Sequence, residues 1–129
     1  MTSKINNLII TVVILAVFIV GGYFVWKDNQ NVNLTDMDKF AKCLKDKGAV
    51  FYGAFWCSHC LNQKNMFGDS KEFIPYVECS TLDGQRQTQK CNDEGIKSYP
   101  TWKFADNSIQ TGEISLQNLA EKTGCELKQ

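Results

Sequence analysis

Residues 49–60 read Ala-Val-Phe-Tyr-Gly-Ala-Phe-Trp-Cys-Ser-His-Cys, an apolar run that leads directly into two cysteines separated by two residues. The run over residues 49–55 is too short for a helix and has no polar interruption, which predicts a strand buried on both faces. Two thiols with this spacing at a helix start close into a disulfide without moving the backbone, and the helix N-terminus stabilises the first thiolate. The stretch therefore predicts a redox centre within an alternating β/α pattern.

The segments on either side of this stretch extend the α/β pattern. Thr35 followed by Asp38 resembles a capping box, and it begins an amphipathic helix that ends at Gly48. A helix over residues 61–67 and a strand over residues 76–79 complete a crossover unit. The remaining expected elements are a helix over residues 85–94, a strand over 101–104, a turn at 106–107, a returning strand over 108–111 and a helix from Ser115 to Gly124. These elements predict a central mixed sheet flanked by helices.

The N-terminal part of the chain differs in composition from the rest. Residues 5–26 contain no charged side chain and are dominated by Leu, Ile, Val and Phe, and roughly 20 such residues are enough to cross a bilayer. We therefore predict one transmembrane anchor over residues 1–26, a polar linker over 27–34 and a folded domain over 35–129. A cleaved signal peptide is the alternative, but it needs a shorter apolar core and a small-x-small cleavage site.

Charge and cysteine content restrict the environment and the partners. The 14 basic and 14 acidic residues cancel, which removes any composition-based argument for a nucleic-acid partner. Six cysteines in a small domain favour an oxidising compartment. Because Lys4 and Lys27 nearly balance across the apolar segment, the cysteine count decides the orientation, and we expect an extracytoplasmic domain in the periplasm or at the cell exterior. No small-molecule cofactor is indicated.

The residues between and beside the paired cysteines suggest their roles. Cys57 is the expected nucleophile at the helix start, and Cys60 is its partner. His59 is the only histidine, and an imidazolium or donor N–H between two sulfurs favours thiolate over disulfide, which points towards an oxidant. The alternatives are a permanent disulfide and half of a zinc site, although zinc needs four ligands and no second histidine exists.

Four further cysteines lie outside this pair. Cys79 ends the second predicted strand and Cys91 lies on the following helix, so a bridge between them would close a loop of about a dozen residues. A second redox pair at these positions is the alternative. Cys43 and Cys125 remain, and an even count suggests that they pair, although two unpaired thiols far apart agree with the sequence as well.

Several strings resemble a known family, the thioredoxin-like domain that is fused to bacterial vitamin K epoxide reductase homologues. They are residues 51–60, residues 75–79 (Pro-Tyr-Val-Glu-Cys), Cys91 and residues 98–102 (Ser-Tyr-Pro-Thr-Trp), and the resemblance covers roughly residues 38–127. It implies a thioredoxin-like fold in which Cys57 attacks, Cys60 resolves, and Cys79 and Cys91 are bonded. It also implies a cis Pro100 that binds the substrate, and we expect Trp56 and Tyr99 to belong to the same substrate-binding surface.

The resemblance also implies an electron route. In the fused family the domain takes electrons from substrate thiols and passes them to a membrane-embedded quinone-reducing part, which one predicted span cannot form. A separate quinone-linked membrane partner, similar to vitamin K epoxide reductase, is therefore expected. Two positions depart from the family: Ser58 replaces the usual proline between the cysteines, and Phe51 occupies the place where thioredoxins keep a buried acid.

The leading hypothesis is dithiol–disulfide exchange with protein thiols outside the cytoplasm, in the direction that forms substrate disulfides. The same residues run backwards would make a disulfide reductase or isomerase. A hypothesis from another class is a non-enzymatic module that holds a partner on its sheet edge or aromatic groove.

Overall fold

The computed structural model describes residues 2–28 and 34–128, and the chain divides into two units, Met1–Asn33 and Leu34–Gln129. The first unit contains helix α1 (Thr2–Asp28), on which apolar side chains such as Ile9, Val17 and Phe18 are exposed. Within the described residues, no helix combines the length and the apolar character needed to cross a membrane. Membrane anchoring through residues 1–26 stays a prediction from the sequence, and most of the linker predicted over 27–34 lies outside the described residues.

The second unit is an α/β domain. In chain order its elements are α2 (Asp36–Asp46), β1 (Val50–Gly53), α3 (Ser58–Asn65), a 3-10 helix (Gly68–Phe73), β2 (Tyr76–Glu78), α4 (Gln89–Asp93), β3 (Thr101–Lys103), β4 (Ile109–Thr111) and α5 (Leu116–Thr123).

The four strands form one mixed sheet in the order β2-β1-β3-β4. Strand β1 lies inside the sheet, parallel to β2 and antiparallel to β3, and β4 is an antiparallel edge strand. The crossover from β1 to the parallel β2 runs through α3, as the order of predicted elements indicates. This arrangement confirms the predicted α/β class, with a central mixed sheet flanked by helices.

The predicted caps fix where the helices begin and end. Thr35 Oγ1 accepts from the backbone N–H of Asp38 at 3.1 Å, and the Asp38 carboxylate accepts from the N–H of Thr35 at 2.8 Å. This reciprocal capping box begins α2, whose Phe40 and Leu44 side chains are buried in the core. The Ser115 hydroxyl caps α5 by accepting from the backbone N–H of Asn118 at 3.2 Å, and Gly124 ends that helix in the left-handed conformation.

Two predicted elements are shorter in the structure by three or more residues. The helix expected over residues 85–94 begins only at Gln89, because the preceding residues form a turn in which Thr81 and Arg86 bond to each other through their backbones. An isolated bridge between Ser80 and Gln87 closes the same turn. The strand expected over residues 49–55 ends at Gly53, because the chain turns there and Cys57 N–H donates to the carbonyl of Ala54.

Two disulfides tie the elements together. The Cys43–Cys125 bridge joins α2 to the residue after the Gly124 cap of α5, over a sequence separation of 82. The Cys79–Cys91 bridge joins the end of β2 to α4, over a separation of 12, and both of its residues are fully buried. The first bridge therefore holds α2 to the end of α5, and the second bridge holds α4 to the end of β2.

Candidate active site

Cys57 and Cys60 lie where β1 turns into α3, and they are the free cysteines of the chain. Cys57 is the N-cap residue of α3, and its sulfur accepts from the backbone N–H of Cys60 at 3.3 Å. The two sulfur atoms are 2.6 Å apart, with Cys60 Sγ–H donating to Cys57 Sγ. Cys57 is 8% exposed and Cys60 0%, so an incoming sulfur reaches Cys57 first. The pair is thus poised to form and break a bond within itself.

The Cys60 thiol is enclosed by apolar surroundings. Burial, with a further contribution from its hydrogen bond to Cys57, raises the pKa of Cys60 to about 12. Gly53 of β1 leaves the space for this sulfur, because a Cβ at Gly53 would lie 2.9 Å from Cys60 Sγ and 3.0 Å from Cε2 of Tyr76. The sulfur and the edge of the Tyr76 ring therefore approach the same point on β1.

Two charged residues, Lys64 and Glu78, lie next to the Tyr76 ring, and the sequence alone did not indicate either of them. Lys64 Nζ lies 3.3 Å from the centroid of the Tyr76 ring, and the Tyr76 hydroxyl donates to Glu78 Oε2 at 2.7 Å. Burial, followed by the bond to Glu78, raises the pKa of Tyr76 well above its usual range. The available signal was spacing, because Lys64 follows Cys60 by four residues on a predicted helix and so shares its face.

Glu78 also supports the turn that presents Cys57. Its Oε1 atom accepts from the backbone N–H groups of Phe55 at 3.2 Å and Ser80 at 2.9 Å. The Ser80 hydroxyl in turn accepts from Trp56 Nε1 at 2.9 Å. Glu78 and Ser80 therefore hold the two residues that precede Cys57.

The expected substrate-binding residues are Trp56, which precedes Cys57 in the chain, and the adjacent Tyr99 and Pro100. The Tyr99–Pro100 peptide bond is cis, and Pro100 is fully buried. The Tyr99 ring meets the Trp56 ring edge-on at 6.1 Å between centroids, and the Tyr99 hydroxyl donates to Gln87 Oε1. Trp56 is 55% exposed, so one aromatic face beside Cys57 remains open to a partner.

The His59 side chain is paired with a carboxylate on the segment after β4. Its Nδ1 lies 2.6 Å from Glu113 Oε1, and Asn62 Nδ2 donates to the same oxygen at 3.2 Å. The bonds from His59 and Asn62 lower the pKa of Glu113 below its ordinary value. No local sequence pattern indicates Glu113, because its partner His59 is 54 residues away in the chain.

Helix α3 is fixed to the rest of the domain by a second residue that the sequence did not reveal. The fully buried Gln63 amide donates to the carbonyl of Ile114 at 2.9 Å and accepts from the N–H of Ile114 at 2.7 Å. This pairing places α3 against the segment that carries Glu113.

The position six residues before Cys57 contains no acid. Phe51 is fully buried, with its ring 4.9 Å from that of Trp102 and 5.3 Å from that of Tyr76 between centroids. Among the residues that the structure describes, no three His, Cys, Asp or Glu side chains form a group that could hold a metal ion. Four of the six cysteines are in disulfides, so they are not available as thiolate ligands.

Comparison with known proteins agrees with this site. The thioredoxin family model matches residues 31–124. The chain belongs to the thioredoxin family. It is also 48% identical, over 94 residues, to a protein of Arabidopsis thaliana described as thiol-disulfide oxidoreductase LTO1. That match covers 69% of this chain and 24% of the relative, so the chain spans about a quarter of that protein's length. The residues that the family model matches include the free Cys57–Cys60 pair.

Proposed function

We propose that this protein forms disulfides in exported proteins outside the cytoplasm. The observation that carries the proposal is the division of its cysteines: Cys57 and Cys60 are free and adjacent at a helix N-terminus, while the other four are in disulfides. Stable bridges beside a reactive pair are typical of a domain that works in an oxidising compartment.

The proposed reaction uses the two thiols in sequence. A substrate thiolate attacks Cys57 Sγ of the oxidised pair, the Cys57–Cys60 bond breaks, and its electron pair goes to Cys60 Sγ. A second substrate thiolate then attacks the substrate sulfur of the mixed disulfide. The substrate leaves as a disulfide, and Cys57 and Cys60 are left reduced with two electrons and two protons gained. Cys57 is the attacked atom, and the open face of Trp56, with Tyr99 and Pro100, holds the substrate chain beside it.

The reduced pair must then be reoxidised. We propose a separate quinone-linked membrane protein similar to vitamin K epoxide reductase as the acceptor, and attachment of this chain to the same membrane through residues 1–26. The support is the resemblance of residues 51–60, 75–79 and 98–102 to the domain fused to such reductases, together with the uncharged run over residues 5–26. Membrane fractionation of full-length protein and of a variant lacking residues 1–26 tests the attachment, because only the full chain should sediment with membranes.

The decisive experiment is the reduction potential of the Cys57–Cys60 couple, measured by equilibration with glutathione. A value of roughly −120 to −180 mV is expected for a disulfide donor, whereas a value near −270 mV would make the protein a reductant. Cys57→Ser is the matched control and should abolish exchange. Exchange that persists in this variant would overturn the assignment of Cys57 and would favour a function unrelated to the pair.

A further inference from the structure

We propose that Lys64 provides the positive charge that stabilises Cys60 as a thiolate during exchange, with Tyr76 and Glu78 as the positioning residues that hold it there. Phe51, at the position where thioredoxins keep a buried acid, offers Cys60 no ionisable group. The inference rests on thiol–disulfide exchange at this pair, and it holds whichever direction the exchange takes.

The chemistry creates the need for such a charge. When a thiolate attacks Cys57 Sγ, Cys60 Sγ receives the electron pair of the breaking bond, and a proton from solvent later converts it to the thiol. In the reverse step Cys60 loses its proton to solvent and attacks the mixed disulfide. Both steps pass through a negative sulfur at a fully buried position, where charge without a partner is disfavoured. Lys64 keeps its proton throughout.

The geometry places a cation on the ring that borders that sulfur. Lys64 lies one helical turn after Cys60 on α3, and its Nζ sits over the Tyr76 ring at 3.3 Å from the centroid. An edge atom of the same ring and Cys60 Sγ both lie within 3.0 Å of one point at Gly53. Attraction between Lys64 and Cys60 lowers the pKa of Cys60 and raises that of Lys64, each against a larger opposite effect of burial.

The same cluster keeps Lys64 in place and charged. The ring of Tyr76 attracts the ammonium group. Burial lowers the pKa of Lys64, and the carboxylate of Glu78, held by the Tyr76 hydroxyl, opposes this shift. Lys64 and Tyr76 also line a surface pocket, which leaves the ammonium group in contact with solvent. The titratable groups near Cys60 and Lys64 are those of Cys57, Tyr76, Glu78 and Tyr99. The other charged residues that line the pocket with Lys64 are Lys71 and Glu72.

The test compares three lysine variants of the full chain with wild type in the reaction of the oxidised pair with glutathione. Lys64→Met should slow this reaction about tenfold, the size expected for loss of one nearby charge that acts on a partly developed thiolate. Lys64→Arg keeps the charge and should stay within about twofold of wild type. Lys42→Met is the matched control, because Lys42 is also half-buried over an aromatic ring, that of Phe73 at 4.4 Å, but lies on α2.

A second readout separates an electrostatic role from a structural one. The rate at which Cys60 resolves the Cys57–glutathione mixed disulfide should rise with pH, and Lys64→Met should move this profile to higher pH while Lys42→Met leaves it in place. A Lys64→Met protein with the wild-type rate and profile, or a Lys64→Arg protein as slow as Lys64→Met, would overturn the inference. If Lys64→Met does not fold, Lys64→Gln replaces it. If the wild-type protein does not react with glutathione, both this inference and the proposed function are wrong. If it reacts but has a low reduction potential, only the oxidising direction of the proposed function is wrong.

Discussion

The α-carbon of Gly53 faces the sulfur of Cys60 so closely that a Cβ at this position would lie 2.9 Å from Cys60 Sγ. The last residue of β1 therefore determines how deeply the second thiol is buried. Side chains alternate between the two faces of a strand, so no neighbouring residue of β1 provides this space.

Gly53→Ala should lower both stability and the rate of exchange. The added methyl group would overlap Cys60 Sγ and the Tyr76 ring, and overpacking of this kind costs about 1–3 kcal/mol. Urea unfolding and the rate of reaction with glutathione measure the two effects. Gly95→Ala is the control, because a Cβ there has open space and the cost arises from a φ of +70° alone. It should lower stability without slowing exchange, and an equal effect of both variants on the rate would contradict the role of Gly53.

Gln63→Leu should destabilise the domain by about 2 kcal/mol or more. Leucine is similar in volume, but it leaves the buried N–H and carbonyl of Ile114 without the partners that Gln63 provides. Gln117→Leu on the exposed face of α5 is the control and should change the unfolding free energy by less than about 0.5 kcal/mol. The difference between their urea midpoints is the measurement, and equal midpoints would show that the Gln63 pairing is not needed.

Removing the two disulfides separately should give unequal losses of stability. In the loop-entropy model a bridge that closes 82 residues contributes about 4.5 kcal/mol, and one that closes 12 residues about 3 kcal/mol. The double replacement of Cys43 and Cys125 by Ala should therefore cost more than that of Cys79 and Cys91. Unfolding in urea without reductant measures both.

Neither double variant should lose exchange at Cys57, because both bridges lie outside the reactive pair. Cys79 and Cys91 are fully buried, which argues against a second electron-relay pair at these positions. A folded variant without this bridge that no longer oxidised substrate would instead favour the relay.

Glu113→Gln should make the protein less stable near pH 5.5, and the difference from wild type should shrink as the pH falls. The pKa of Glu113 in the folded state lies below its ordinary value of 4.5, chiefly because His59 donates to it. A carboxyl group whose pKa is lower in the folded state than in the unfolded state stabilises the fold. This contribution is fully present above the unfolded-state pKa and is lost as the pH falls through the folded-state pKa. Urea midpoints at pH 3, 4 and 5.5 should show the wild-type advantage shrinking with acid, and this advantage should be smaller in a His59→Asn background, where the bond from Asn62 remains.

Local patterns predicted the elements that local interactions form. The capping box of Thr35 and Asp38 and the glycine that ends α5 are correct because each is satisfied within one helical turn. The helix expected over residues 85–94 was too long, because its first residues follow the same polar pattern but bond instead to the turn at Thr81. A tertiary partner there overrides a weak local preference.

The sequence by itself determined the chemistry of the pair, since Cys-x-x-Cys between an apolar strand and a helix start depends only on neighbouring residues. It also determined the α/β class through the alternation of apolar runs. Only the tertiary structure decided which distant residues meet: Tyr76 beside Cys60, Glu113 on His59, and Cys43 with Cys125. These contacts join residues that are far apart in the chain, so the packing of the sheet against α3 and α5 specifies them and no local pattern encodes them.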